Sequence, residues 1–208
     1  METQTIETQA TITPDIAIDI LKEGNFRFLK NQQMPRDLIK QVEATQHGQF
    51  PFATILSCID SRVPTELLFD QGVGDIFSIR VAGNIVNEDV LGSLEFGSKA
   101  SGTKLIVVLG HTGCGAIKGA CNDVQLGNLT KLIEKIKPAV DAVEEPKDDS
   151  LRNAQNLEFV NKVSEKNVYL SIEKIKEESE ILRKMEAAGE IRIVGAMYDI
   201  ETGSVAFL

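Results

Sequence analysis

An α/β fold, with a central, mostly parallel β-sheet flanked by helices, an N-terminal helical arm and C-terminal edge strands, is predicted by three observations. Short apolar runs alternate with longer stretches that carry apolar residues at helical spacing. The two most apolar runs, Phe52 to Ser57 and Lys104 to Leu109, lack polar alternation, as strands covered on both faces do. At 208 residues and 42% hydrophobic, with no composition break or internal repeat, the chain suits one domain with one substantial core.

In order, residues 1–12 are polar and hold too little apolar surface to fold alone. They are expected to form a flexible arm, frayed over Met1 to Thr8 or laid on a neighbouring subunit. Thr13-Pro14 reads as an N-cap with proline at the first helical position, and Ile16, Ala17, Ile20 and Leu21 give the stripe of a helix from Pro14 to Leu29. Asp37 to Thr45 suits a short helix, and Gly48 and Pro51 turn the chain into the strand Phe52 to Ser57. Pro64 to Phe69 reads as a short helix, Ile76 to Val81 as a strand, Asp89 to Ser98 as a helix and Lys104 to Leu109 as the clearest buried strand. Gly115 to Cys121 starts a helix. Leu126 to Val143, Ser150 to Val163 and Val168 to Ala188 read as three more, and Ile191 to Tyr198 with Ser204 to Phe207 as a terminal hairpin.

The charge balance, 22 basic against 31 acidic residues and a net −9, argues against a nucleic acid or an anionic membrane as partner, since both reward clustered Lys and Arg. No apolar run approaches the roughly 20 residues that span a bilayer, and no secretory signal is readable. A cytoplasmic protein is expected. Three cysteines, Cys58, Cys114 and Cys121, favour metal or catalytic use over a disulfide framework. The glycines of Gln71-Gly-Val-Gly74 lack the third glycine and helix start of a dinucleotide site.

Chemistry concentrates in two half-motifs, Cys58-Ile59-Asp60-Ser61-Arg62 and His111-Thr112-Gly113-Cys114. Each follows a predicted strand, where parallel sheets place their ligands. Two thiolates and an imidazole, from Cys58, Cys114 and His111, suit Zn²⁺ and leave a fourth tetrahedral position for water. Asp60 could fill that position itself. Arg62 argues for the other arrangement, because a guanidinium can hold a carboxylate by two parallel hydrogen bonds and keep it off the metal. Cys121 reads as a small buried helix residue. His47 has the right type for a proton shuttle, but a loop histidine is more often simply solvated.

Cys58-x-Asp60-x-Arg62, a spacing of about fifty residues and His111-x-x-Cys114, within Ser-Arg-Val-Pro and Gly-His-Thr-Gly-Cys-Gly contexts, resemble the β-class carbonic anhydrases. The resemblance is strong from about Gln49 to Ala120. It implies reversible hydration of CO2 to bicarbonate and a proton by zinc-bound hydroxide, with one Zn²⁺ per subunit, Asp60 and Arg62 as catalytic residues, and a homodimer or higher homo-oligomer. It further implies substrate-binding roles for Gln49, Phe77, Ala82 and Gly115, some of them reaching the zinc of another subunit. The branch whose aspartate closes the zinc when bicarbonate binds elsewhere carries a tryptophan where this chain has Ile55, although Arg80 matches the arginine of that pocket. The plant-like branch, with an open site at neutral pH, is the expectation. Alternatives are hydrolysis of a CO2 analogue such as carbonyl sulfide or carbon disulfide, and a zinc-stabilised binding protein without turnover.

Overall fold

The computed structural model describes residues 2–208. Five strands form one sheet, in the spatial order Ile76–Arg80 (β2), Ala53–Ser57 (β1), Leu105–His111 (β3), Arg192–Tyr198 (β4) and Val205–Phe207 (β5). β2, β1, β3 and β4 run parallel, and β5 returns antiparallel beside β4. β1 and β3 are buried at every position, which accounts for their largely apolar character.

Successive residues of the central strands feed opposite faces of the sheet. Ile55, Leu105, Val107 and Leu109 pack with Ala17 and Leu21 of α2 (Pro14–Leu29) and Leu68 of α4 (Thr65–Leu68). Leu56, Ile106 and Val108 pack with Val90 and Leu94 of α5 (Glu88–Glu95), Val168 and Ile175 of α9 (Leu157–Glu178), and Leu182 of α10 (Glu180–Ala187). A third apolar group gathers at the carboxyl ends of the strands. Here α6 (Gly115–Cys121), α7 (Gly127–Glu134) and α8 (Lys137–Ala142) meet the first turns of α9 around Ile117, Ile133 and Phe159, with Cys58 and Cys114 among them.

The start of α2 is as the sequence indicates: Pro14 opens the helix and the Thr13 side chain accepts from the Ile16 N–H. Before it, the outcome differs from the expected flexible arm. Thr5 and Thr8 form a reciprocal cap on α1 (Ile6–Thr11). Thr3 donates to the Val73 carbonyl, the Gln4 N–H donates to Asp75, and the Gln9 amide bridges the carbonyls of Pro51 and Ser101. Hydrogen bonds, together with Ile12 buried in the core beside Ala17 and Leu21, therefore dock this segment on its own subunit; Met1 lies outside the described residues.

Three helix boundaries also differ, the first being the start of α9, which lies at Leu157 behind the Asn156 cap and not at Ser150. The stretch from Leu126 to Val143 is two helices, since Pro138 sits in the first turn of α8 and starts it afresh after Ile136. The expected break between Val163 and Val168 is absent: α9 runs on to Glu178, and the break comes at Ser179, whose hydroxyl caps α10 at the Leu182 N–H. Ser164 and Asn167 look like breakers in sequence, yet both are buried with their hydrogen bonds made.

Candidate metal centre

Cys58 leaves the end of β1, His111 is the last residue of β3, and Cys114 is the N-cap of α6. β1 and β3 are parallel neighbours, with Ser57 opposite Leu109, so both half-motifs emerge side by side at the same edge of the sheet. Gly113 takes φ +64° in the intervening turn, a conformation that costs glycine nothing. The two sulfurs lie 3.9 Å apart, and the ligating atoms of Cys58, His111 and Cys114 are all within 4.8 Å of one another and buried.

The donor set fits a zinc ion. His111 Nδ1 lies 3.0 Å from the Thr112 carbonyl oxygen, which can only accept, so the proton is on Nδ1 and the lone pair on Nε2. Nε2 is buried with no hydrogen-bond partner among the described residues, an arrangement that a metal bond satisfies. Cys58 Sγ accepts from the Gly83 N–H at 3.3 Å. The hydrogen bond from Cys114 holds the Cys58 thiol well below its ordinary pKa against the opposing effect of burial. The same bond, together with burial, pushes Cys114 up, although the Ile117 and Ala116 N–H groups oppose this.

Asp60 and Arg62 stand at the mouth of this cluster. Arg62 Nε donates to Asp60 Oδ1 at 2.9 Å and its terminal nitrogen to Oδ2 at 2.7 Å, while the Arg62 backbone N–H donates to Oδ1 at 3.0 Å. Asp60 Oδ2 is 3.9 Å from His111 Nε2. The carboxylate is thus turned toward the ligands yet held by the guanidinium, which with the backbone contact keeps its pKa below the usual carboxylate range.

Of the four residues assigned to substrate by resemblance, two adjoin this cluster. Ala82 opens the 3₁₀ turn that contains Gly83, and Gly115 is the first residue of α6, exposed beside Cys114. Gln49 and Phe77 are not brought there within one chain. Gln49 is exposed in the loop leading into β1, at the opposite end from Cys58, with a strand length of about 15 Å between. Phe77 is opposite Thr54 near the start of β2 and packs its ring on Phe96. His47 shares the Gln49 loop and is exposed. Cys121 is half-buried, its thiol pushed up to about 11 by burial.

Three supporting residues have no signal in the sequence that marks this use. Arg80 Nε donates to the Cys58 carbonyl at 3.0 Å and its terminal nitrogen to the Asp60 carbonyl at 2.6 Å, so this guanidinium braces the loop. Asn161 accepts from the Gly113 N–H, and Asn167 donates to the Gly83 carbonyl.

Residues 53–205 match the protein-family model described as carbonic anhydrase. Carbonic anhydrase 2 of Mycobacterium tuberculosis is 34% identical over 196 residues, covering 91% of this chain and 90% of that protein. The carbonic anhydrase of Mycolicibacterium smegmatis is 33% identical over 198 residues, covering 92% of each. Among solved structures, the Coccomyxa β-carbonic anhydrase in complex with acetazolamide superposes with a TM-score of 0.69 at 26% identity, over 80% of this chain and 75% of that one. A β-carbonic anhydrase of Aspergillus fumigatus gives a TM-score of 0.70 at 23% identity, over 93% and 89%, a likeness of fold.

Proposed function

Because this chain belongs to the β-carbonic anhydrase family, we propose that it catalyses the reversible hydration of CO2 to bicarbonate and a proton, with Cys58, His111 and Cys114 holding one zinc ion. The observation that carries this reading is the buried convergence of two sulfurs and an orphaned imidazole lone pair, with a carboxylate held at 3.9 Å from the imidazole. When bound, zinc lowers the pKa of water toward neutrality and so supplies the nucleophile.

The chain's own groups orient that nucleophile. Asp60 Oδ2 accepts a hydrogen bond from the attacking water and turns its lone pair toward the carbon of CO2. Arg62, holding both oxygens of Asp60, fixes that acceptor and keeps it from taking a ligand position. This supports the open-site, plant-like branch, as does Ile55 in place of a tryptophan. Arg80, engaged with two carbonyls, acts here as a brace.

The active unit in this reading is a homodimer or larger homo-oligomer. Gln49 and Phe77 lie at the far end of β1 and β2 from the cysteines of the same chain, and a second copy would carry them to the site. A reducing compartment such as the cytoplasm suits the three free cysteines. Among the described residues no helix is long and apolar enough to cross a membrane.

The test is stopped-flow CO2 hydration on protein of measured zinc content, beside Cys58→Ser. Fast turnover that scales with zinc, and loss of both zinc and turnover in the variant, are the expected results. Absence of hydration in fully zinc-loaded wild type between pH 7 and 9 overturns the proposal.

A further inference from the structure

Helix α9 passes behind the ligand cluster, and two of its asparagines reach the backbone on either side of it. Asn161 Oδ1 accepts from the Gly113 N–H at 2.9 Å, inside the turn that joins His111 to Cys114. Asn167 Nδ2 donates to the Gly83 carbonyl at 2.9 Å, and the N–H of that same glycine donates to Cys58 Sγ. Each asparagine therefore stands one backbone unit behind a ligand. Being six residues apart, they are separated by about 9 Å along a rigid helix.

The helix is itself seated against the sheet beside the site. A Cβ at Gly110, the residue before His111, would lie 2.6 Å from Val168 Cγ2, and one at Gly195 of β4 would lie 2.7 Å from Val168 Cγ1. Val168, next to Asn167, thus occupies space that only glycines on two adjacent strands leave open. Asn167 is 4% exposed, and a buried amide on an apolar helix face is unfavourable unless its hydrogen bonds are made. The bond it makes leads to Cys58.

We propose that Asn161 and Asn167 are positioning residues for the metal centre, and that α9 sets the separation between Cys58 and the His111–Cys114 turn. This rests on the reading of Cys58, His111 and Cys114 as zinc ligands. Neither asparagine touches substrate. Asn161 acts through the Thr112–Gly113 peptide, whose carbonyl lies 3.0 Å from His111 Nδ1, and Asn167 through Gly83, whose own N–H meets Cys58 Sγ; outer partners of metal ligands govern affinity by about 10–100-fold.

The experiment measures zinc release from the loaded protein to a chromophoric chelator, thermal unfolding, and the thiolate-to-cobalt absorption of the Co²⁺-substituted protein. Asn161→Leu and Asn167→Leu are each expected to release zinc about tenfold faster or more and to change the cobalt bands. Asn161→Asp keeps the acceptor and should restore slow release, whereas Asn167→Asp loses the donor and should not. If a leucine variant does not fold, Asn161→Ser or Asn167→Ser takes its place in the same comparison. Variants that melt earlier but release zinc at the wild-type rate with the wild-type cobalt spectrum overturn the inference, and so does Asn161→Asp behaving as Asn161→Leu. Wild-type protein that takes up no zinc overturns the metal-centre reading itself, and the inference with it.

Discussion

Arg62 decides what Asp60 can do. A carboxylate so close to His111 Nε2 is a competent metal ligand, and the paired hydrogen bonds from the guanidinium, beside the Arg62 backbone N–H on Oδ1, hold its oxygens away. Arg62→Ala should therefore retain zinc and lower the hydration rate by about 10²-fold, the scale of a misplaced reacting group; stopped-flow rates set against zinc content check this. Arg62→Lys keeps a charge without the two-pronged hold and should fall between. At this scale the convergence of Cys58, His111 and Cys114 was legible in the sequence, because their chemistry resides in the side chains and the two half-motifs stand at the ends of strands. Arg80, Asn161 and Asn167 were not. They act on backbone groups 22, 48 and 84 positions away, and residue type carries no record of such a partner.

Among the elements, the buried strands β1 and β3 and the helices α2 and α6 could be read directly from apolar runs, the Thr13-Pro14 cap and glycine punctuation. The long helix α9 could not. Ser164 and Asn167 interrupt its apolar stripe, and only the folded chain shows that one back-bonds to Val160 and the other reaches Gly83. The seat of α9 on the sheet gives a prediction at this scale. Gly110→Ala places a methyl group against Val168 and the Met197 sulfur, overpacking that should cost about 1–3 kcal/mol. Chemical denaturation measures it, and wild-type stability in this variant would show that α9 shifts freely.

For the molecule as a whole, Asp70 ties distant parts of the chain. It is buried, accepts from Arg27 Nε of α2 at 2.6 Å and from the Met34 N–H, and pairs with Arg36. Burial raises its pKa, but the hydrogen bonds from Arg27, Met34 and Arg36 outweigh this and hold it below the ordinary value. A depressed folded pKa gives stability that is present above the unfolded value of about 3.9 and is lost as pH falls through the folded value. Asp70→Asn should lose about 3 kcal/mol at pH 7 and show a smaller further loss on acidification below about pH 4 than wild type; urea unfolding at both pH values compares them. The N-terminal segment escaped sequence reading for a related reason: Thr3, Gln4 and Gln9 anchor it by hydrogen bonds that apolar patterning does not reveal. Assembly is testable at the same scale. If Gln49 and Phe77 serve a neighbouring copy's site, specific activity should fall on dilution in step with the loss of dimer mass; full activity from a monomer contradicts that assignment.

The contact between Cys58 and Cys114 spans 56 positions of sequence, yet the sulfurs are brought together by the parallel register of β1 and β3, with α9 bracing the backbone on either side, not by the length of the path between them. Lengthening a flexible loop costs only logarithmically, about 0.6 kcal/mol for each doubling. The interval holds α4, β2 and α5, so its length can vary at the loops that join them. A search for comparable centres in unrelated chains should require that a cysteine and a histidine-cysteine turn end adjacent parallel strands, and let the intervening length vary.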